Sequence, residues 1–194
     1  MRPPRSATKL APDSGDLLLV AAGDSAALTR LVTRWSQPVY AFFERTREPS
    51  AATEATLATF ERLVTSSSRY APDVPFSSFL WGIAVKIVQE GKTSGVLEIP
   101  APKLAESAAA RTALVRSAIA ALPAAERAAF LLTRVARLPA TAAAETLGAQ
   151  ETEVRRRLVR ALESLRTSLV PLLESPAAPA PQGEPADGPT GAAS

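Results

Sequence analysis

The chain has 194 residues, 46% of them hydrophobic, with a formal charge of +3 and neither cysteine nor histidine. Disulfides, Cys/His metal sites, Cys-His or Ser-His catalysis and histidine-based pH sensing are thereby excluded. No apolar run approaches the roughly 20 residues of a membrane span, and the opening MRPPRSATKLAPDSGD lacks the apolar core of a secretory signal.

Residues 1–15 have no apolar periodicity and are expected to be disordered. Asp16 is placed as the cap of a first helix through Ala22, with Gly23 closing it and Asp24 capping the next. Leu28, Leu31, Val32 and Trp35 recur at helical spacing, and Val39, Phe42 and Phe43 carry that face beyond Pro38. Glu48-Pro49-Ser50 reads as a turn, after which Leu57, Phe60, Leu63 and Val64 mark a third amphipathic helix. A loop with two prolines, Arg69 to Pro75, precedes a fourth helix whose apolar face is Phe76, Phe79, Leu80, Ile83, Ala84 and Ile87, ending near Gly91.

Residues 91–105 contain two glycines and two prolines and read as a flexible linker. A second helical block covers 106–172: a helix over 106–121, one opened by Pro123 and running to about Ala136, then a closing pair. Residues 173–194, rich in Pro and Ala, lack the large apolar side chains needed to offset ordering entropy and are expected to be disordered. No segment alternates with period two over a convincing length. The expectation is an all-α chain of two small helical domains, 16–90 and 106–172, joined by the linker.

The closing pair carries the chemistry. A short alanine-rich helix runs to Leu147, Gly148 and Ala149 break it, and a long helix begins near Glu151. This helix-turn-helix layout bears Arg155, Arg156, Arg157 and Arg160 on its second helix. Guanidinium forks suit phosphate oxygens and the O6/N7 edge of guanine. At about 100° per residue, Val154, Leu158, Ala161, Leu162, Leu165 and Leu169 form one stripe, with Arg156 and Arg160 opposite it and Arg155 and Arg157 flanking it. Gln150 and Thr152, at the start of the helix, join the expected DNA-facing set. A solvated basic face is the plainer account of the same arginines. Charge favours the DNA reading, because 106–172 holds ten basic and six acidic residues while the tail holds only acidic ones.

These residues resemble the extracytoplasmic-function (ECF) group of bacterial sigma factors, in the sigma-70 family. Leu122-Pro123, Glu126-Arg127 and Phe130-Leu131-Leu132 resemble the family's "LP…ER…FLL" opening. Glu145, Leu147-Gly148, Val154 to Leu158, Arg160-Ala161 and Leu165-Arg166 follow its "E…LG…V-x-x-RL-x-RA…LR" run. The resemblance implies region 4, which reads the −35 element in the major groove. In the first block Leu19-Val20, Ala22-Gly23-Asp24, Val39-Tyr40, Phe60-Glu61-Arg62, Tyr70, Asp73, Pro75-Phe76, Phe79-Leu80 and Ile83-Ala84 resemble region 2. It implies binding of core RNA polymerase through Glu54, Leu57, Glu61 and Arg62. It also implies contact with the −10 element or melted strand through Arg69, Tyr70, Trp81 and Lys86.

Region 2 diverges from the family. Leu57 and Ala58 replace the usual glutamine and glutamate of the clamp-binding helix, and Val85 and Lys86 stand for an arginine and an asparagine. Phe76, Phe79 and Trp81 have a core role as the alternative to stacking an unpaired base. Gly91-Lys92-Thr93 ends like a phosphate-binding loop, but that motif needs glycine where Lys86 stands. The expectation is therefore a cytoplasmic, non-enzymatic sigma factor without cofactor, metal, membrane or small-molecule partner. Its partners are core RNA polymerase, promoter DNA and an anti-sigma factor. The alternative is a non-initiating sigma-like DNA-binding regulator or a protein-interaction module.

Overall fold

The computed structural model describes residues 11–90 and 108–173, the side chains of 171–173 excepted. The whole expected linker, 91–105, lies outside the described residues, as do residues 1–10 of the segment expected to be disordered and 174–194 of the tail, while Pro12 to Gly15 are helical. All regular structure among the described residues is helical, which matches the all-α expectation. Among the described residues eight α-helices follow one another: α1 (Pro12–Ala21), α2 (Ser25–Glu44), α3 (Pro49–Ser66), α4 (Phe76–Glu90), α5 (Ala108–Ala121), α6 (Ala124–Phe130), α7 (Ala140–Leu147) and α8 (Glu151–Leu173).

Asp16 does not cap the first helix. Pro12, with its φ preset for a first turn, starts α1 four residues earlier, and Asp16 falls within it. There its buried carboxylate receives Nε–H and Nη2–H of Arg30 at 3.0 and 2.7 Å. Asp13 pairs with Arg34 and accepts the indole N–H of Trp35 at 3.3 Å. Two acids of α1 thus bind it to α2. Asp24 caps α2 as expected, its Oδ1 accepting from the amides of Ala26 and Ala27 at 2.8 and 3.1 Å.

The α2 helix continues through Pro38, and Glu48-Pro49-Ser50 is the start of α3 rather than a separate turn, with Pro49 in its first turn. Small side chains form the buried face of α3: Ala52, Ala55, Thr56 and Thr59 beside Phe60 and Leu63. The two threonine hydroxyls donate to the carbonyls of Ala52 and Ala55 at 2.7 and 2.8 Å, which removes their need for water. Leu57 and Val64 therefore point outward, Leu57 at 60% exposure. Hydrophobicity alone misplaced the stripe, because close helix packing selects alanine and threonine here.

The core of this block is aromatic. The Trp35 ring lies 5.4 Å from Phe76 and 6.1 Å from Trp81, and Phe42 lies 5.1 Å from Trp81. The Tyr70 hydroxyl donates to the Val74 carbonyl at 2.6 Å, with the Ser14 hydroxyl at 2.8 Å, and pins the loop before α4 onto α1.

In the second block α8 packs on α5, α6 and α7. The helix opened after Pro123 changes winding at Leu131–Val135, which forms a π turn. Arg137 then takes a left-handed conformation, φ 57°, while the Leu138 amide bonds the Leu132 carbonyl at 2.9 Å. The two blocks meet, and their buried side chains join in one cluster. Thr146 of α7 faces Gly82 of α4, where a Cβ would lie 3.6 Å from its methyl carbon. Arg116 of α5 donates to the Glu44 carbonyl at 3.2 Å and pairs with Glu48.

Candidate nucleic-acid interface

The tight turn between α7 and α8 requires a residue that accepts a left-handed backbone, and Gly148 supplies it at φ 60°, ψ 35°. The Gly148 amide bonds the Glu145 carbonyl at 3.2 Å, and the Ala149 amide bonds the Ala144 carbonyl at 2.9 Å. The carbonyl of Gln150 receives the amides of Glu153 and Val154 at 3.0 and 3.1 Å, so α8 starts at once. Ala143 and Ala144 are buried on α7, which lets it approach its neighbours closely.

Val154 and Ala161 are fully buried and Leu165 nearly so, which sets the rotation of α8. Leu158 and Leu169 are half-buried, whereas Leu162 is exposed at 39% and does not belong to the docking stripe. The missed signal is angular: Leu162 lies about 100° from Ala161, at the rim of the stripe.

The DNA-facing candidates come together on one side. Gln150, Thr152, Arg155, Arg156 and Arg160 are exposed, and Arg157 is half-buried. Acidic residues of the first turn hold three of the four arginines. Arg155 Nε–H donates to Glu151 at 2.8 Å, Arg157 Nε–H to Glu153 at 2.7 Å, and Arg156 pairs with Glu153 as well. The Arg157 hydrogen bond leads the causes that hold the Glu153 carboxyl below its ordinary pKa, ahead of burial, which acts the other way. Glu153 is therefore a firm anion amid the arginines, suited by sign to the positive end of the helix dipole. Pairs with a guanidinium as exposed as those of Arg155 and Arg156 are weak and exchangeable, so these two guanidiniums can transfer to a polyanion. Arg160 is exposed and has no acidic partner among the described residues. Exposed Arg134 and Arg137, just before α7, and Arg166 further along α8 add positive charge that the sequence pattern left unassigned.

In the first block Arg69 and Lys86 are exposed, while Tyr70 and Trp81 are buried at 6% and 4% exposure. In this conformation those two rings serve the core and present no open face to a base. Val85, which replaces the family's arginine, is also buried. Glu54, Leu57, Glu61 and Arg62 are all exposed on α3, and Arg62 pairs with Glu90 at 2.6 Å. Among the described residues no cluster of acidic side chains could hold a metal ion, and no helix is long and apolar enough to cross a membrane.

Comparison with known proteins agrees with the helix-turn-helix. Residues 112–165 match the family model "Sigma-70, region 4", a span that runs from α5 through most of α8. No curated protein matches the chain. The solved structure described as CnrH in complex with the cytosolic domain of CnrY is similar to it, with TM-score 0.66 and 22% identity, over 83% of this chain and 99% of that one. At that identity the likeness establishes a shared fold. Residues 112–165 are thus similar to sigma-70 region 4, and the chain shares the fold of the CnrH structure.

Proposed function

We propose that this protein is a sigma factor of the ECF group, cytoplasmic and non-catalytic, that directs RNA polymerase to promoters. Residues 16–90 bind core polymerase, 91–105 serve as the linker and 106–172 bind DNA, with 1–15 and 173–194 as accessory ends. The carrying observation is the α8 helix, which presents Arg155, Arg156 and Arg160 outward directly after the Gly148 turn. Gln150 and Thr152 sit at its exposed start, where side chains of a recognition helix meet base edges. Arg157 braces the group through Glu153. On α3 the exposed set Glu54, Leu57, Glu61 and Arg62 supplies a surface for core polymerase, Leu57 being the apolar anchor. CnrH was solved with the cytosolic domain of CnrY, and an anti-sigma factor is the corresponding partner proposed here.

Run-off transcription with purified core polymerase and a library of promoter fragments tests the reading. Transcripts that require this protein and vanish with Arg156→Ala are expected. A specific observation favours a second reading, a non-initiating regulator: Tyr70 and Trp81 are buried, and Val85 is a core residue where the family has an arginine. No transcripts, with DNA binding retained, would select that second reading.

A further inference from the structure

Arg160 stands exposed on α8 without an acidic partner among the described residues, although Glu163 is only three positions away. One turn earlier the Arg156 side chain is 61% exposed and held only through Glu153, which Arg157 engages as well. Four residues apart, the two arginines share one face of the helix. That face is turned to solvent and carries more positive charge than its own acids neutralise.

The same helix leads directly into residues 174–194, which lie outside the described residues and contain three acids and no basic side chain. Glu174 adjoins the helix end, too close to reach back to Arg160. Glu184 and Asp187 follow Leu173 by eleven and fourteen residues. Arg160 precedes Leu173 by thirteen and Arg156 by seventeen, about 20 and 26 Å along a helix rising about 1.5 Å per residue. Eleven residues of extended chain reach up to about 36 Å at roughly 3.3 Å each, so both acids can come level with both arginines. An exposed ion pair is too weak to hold a separate peptide. A short tether instead keeps its acids beside the helix at an effective concentration in the millimolar range.

We infer that residues 174–194 return along α8 and seat Glu184 and Asp187 on Arg160 and Arg156, so that the chain carries its own competitor for a polyanion. Three residues of extended chain span up to about 10 Å, enough to bridge two arginines about 6 Å apart along the axis. Arg160 takes a tail carboxylate with no exchange of partners. At Arg156 the tail replaces Glu153, which keeps its bond to Arg157. Arg45 and Arg111 line a cleft of about 180 Å3 and are the rival seat, but that cleft has Glu44 in its wall, whereas α8 is the element the tail continues. A face left free a third of the time binds duplex roughly threefold more weakly than one always free. This effect on DNA rests on the reading of α8 as a DNA-binding helix; the docking itself does not.

The chain has no cysteine, so Gly188→Cys gives a single attachment point for a nitroxide beside Asp187 in the full-length protein. At low salt the label should broaden the amide resonances of residues 156–160. The broadening should vanish at high ionic strength, where charges are screened, and in Glu184→Gln/Asp187→Asn. No broadening on α8, broadening that survives that double variant, or broadening centred on Arg45 and Arg111 would each overturn the docking. Broadening of unlabelled isotope-enriched chain by added labelled chain would overturn it in favour of an exchange between copies. Duplex affinity reads the consequence: Glu184→Gln/Asp187→Asn should bind roughly threefold tighter at low salt. Docking with duplex affinity unchanged in the double variant would overturn the competition. Docking in a chain that binds no duplex at all would uphold the tail contact and sink the DNA reading of α8 alone.

Discussion

Glu153 accepts Nε–H of Arg157 at 2.7 Å and at the same time pairs with Arg156, so one carboxylate restrains two of the four arginines on α8. It sits in the first turn, one position after Thr152 and among the side chains proposed to face DNA. Its negative charge opposes a phosphate backbone. Glu153→Gln should therefore tighten binding to duplex DNA several-fold at low salt, with the gain fading as salt screens the charges. Fluorescence anisotropy at two ionic strengths measures it; equal or weaker binding in the variant would show that Glu153 positions Arg157 more than it repels phosphate.

The same carboxylate carries a pH dependence. Its pKa in the folded protein is held below the ordinary glutamate value, mainly by the Arg157 hydrogen bond. A depressed folded pKa means that stability is fully present above the unfolded value and is lost as pH falls through the folded one. Helix content and melting temperature should therefore decline below about pH 4.5, and part of that decline should be absent in Glu153→Gln. Melting curves between acid and neutral pH, followed by circular dichroism at 222 nm, would show overlapping profiles if Glu153 contributes nothing.

The four arginines should not be equivalent. Arg160 is exposed without an acidic partner, whereas Arg157 is half-buried and held by Glu153. Arg160→Ala should weaken binding to all sequences and reduce the salt slope by about one unit if it grips phosphate. Arg157→Ala should change DNA affinity less and helix stability more. Anisotropy titrations across a salt series separate the two, and a larger affinity loss for Arg157→Ala would reverse their assignment.

Legibility in the sequence followed the strength of local signals. The Gly148 turn and the start of α8 at Glu151 were readable because glycine, a polar stretch and a change of periodicity coincide there. Asp24 announced its cap for the same reason, a short acceptor before a helical run. Asp16 looked identical, yet its side chain goes to Arg30, fourteen residues away, a pairing no local pattern encodes. The α3 stripe was misjudged at Leu57 because alanine and threonine, not the largest side chains, make the closest helix contact. The contact of Gly82 with Thr146 was invisible, since it exists only where the two blocks meet.

Arg137 adopts φ 57° at the turn that ends the π segment, with the Leu138 amide bonded back to the Leu132 carbonyl. A left-handed backbone costs a residue with a Cβ about 1–2 kcal/mol, and glycine avoids it. Against this, glycine gains freedom in the unfolded chain. Arg137→Gly should on balance stabilise the fold by roughly 0.5 kcal/mol. If Arg137 also supplies charge to DNA, the same variant should bind duplex less tightly, so melting temperature and affinity would move in opposite directions. A fall in both would mean that the Arg137 side chain supports the turn.

Gly82 tests the contact between the blocks directly. Its position on α4 faces Thr146 of α7, and an added Cβ would meet the threonine methyl at 3.6 Å, an ordinary van der Waals distance. Alanine therefore fits without displacement, and replacing glycine inside a helix gains up to about 1 kcal/mol. Gly82→Ala should raise the melting temperature while leaving the two blocks in contact. Gly82→Leu extends three more carbons into the space held by Thr146 and should drive α7 away from α4. Small-angle scattering reads the separation as a larger radius of gyration for Gly82→Leu, unchanged for Gly82→Ala. Identical radii for all three chains would show that the interface yields locally and that α7 is not held by this contact.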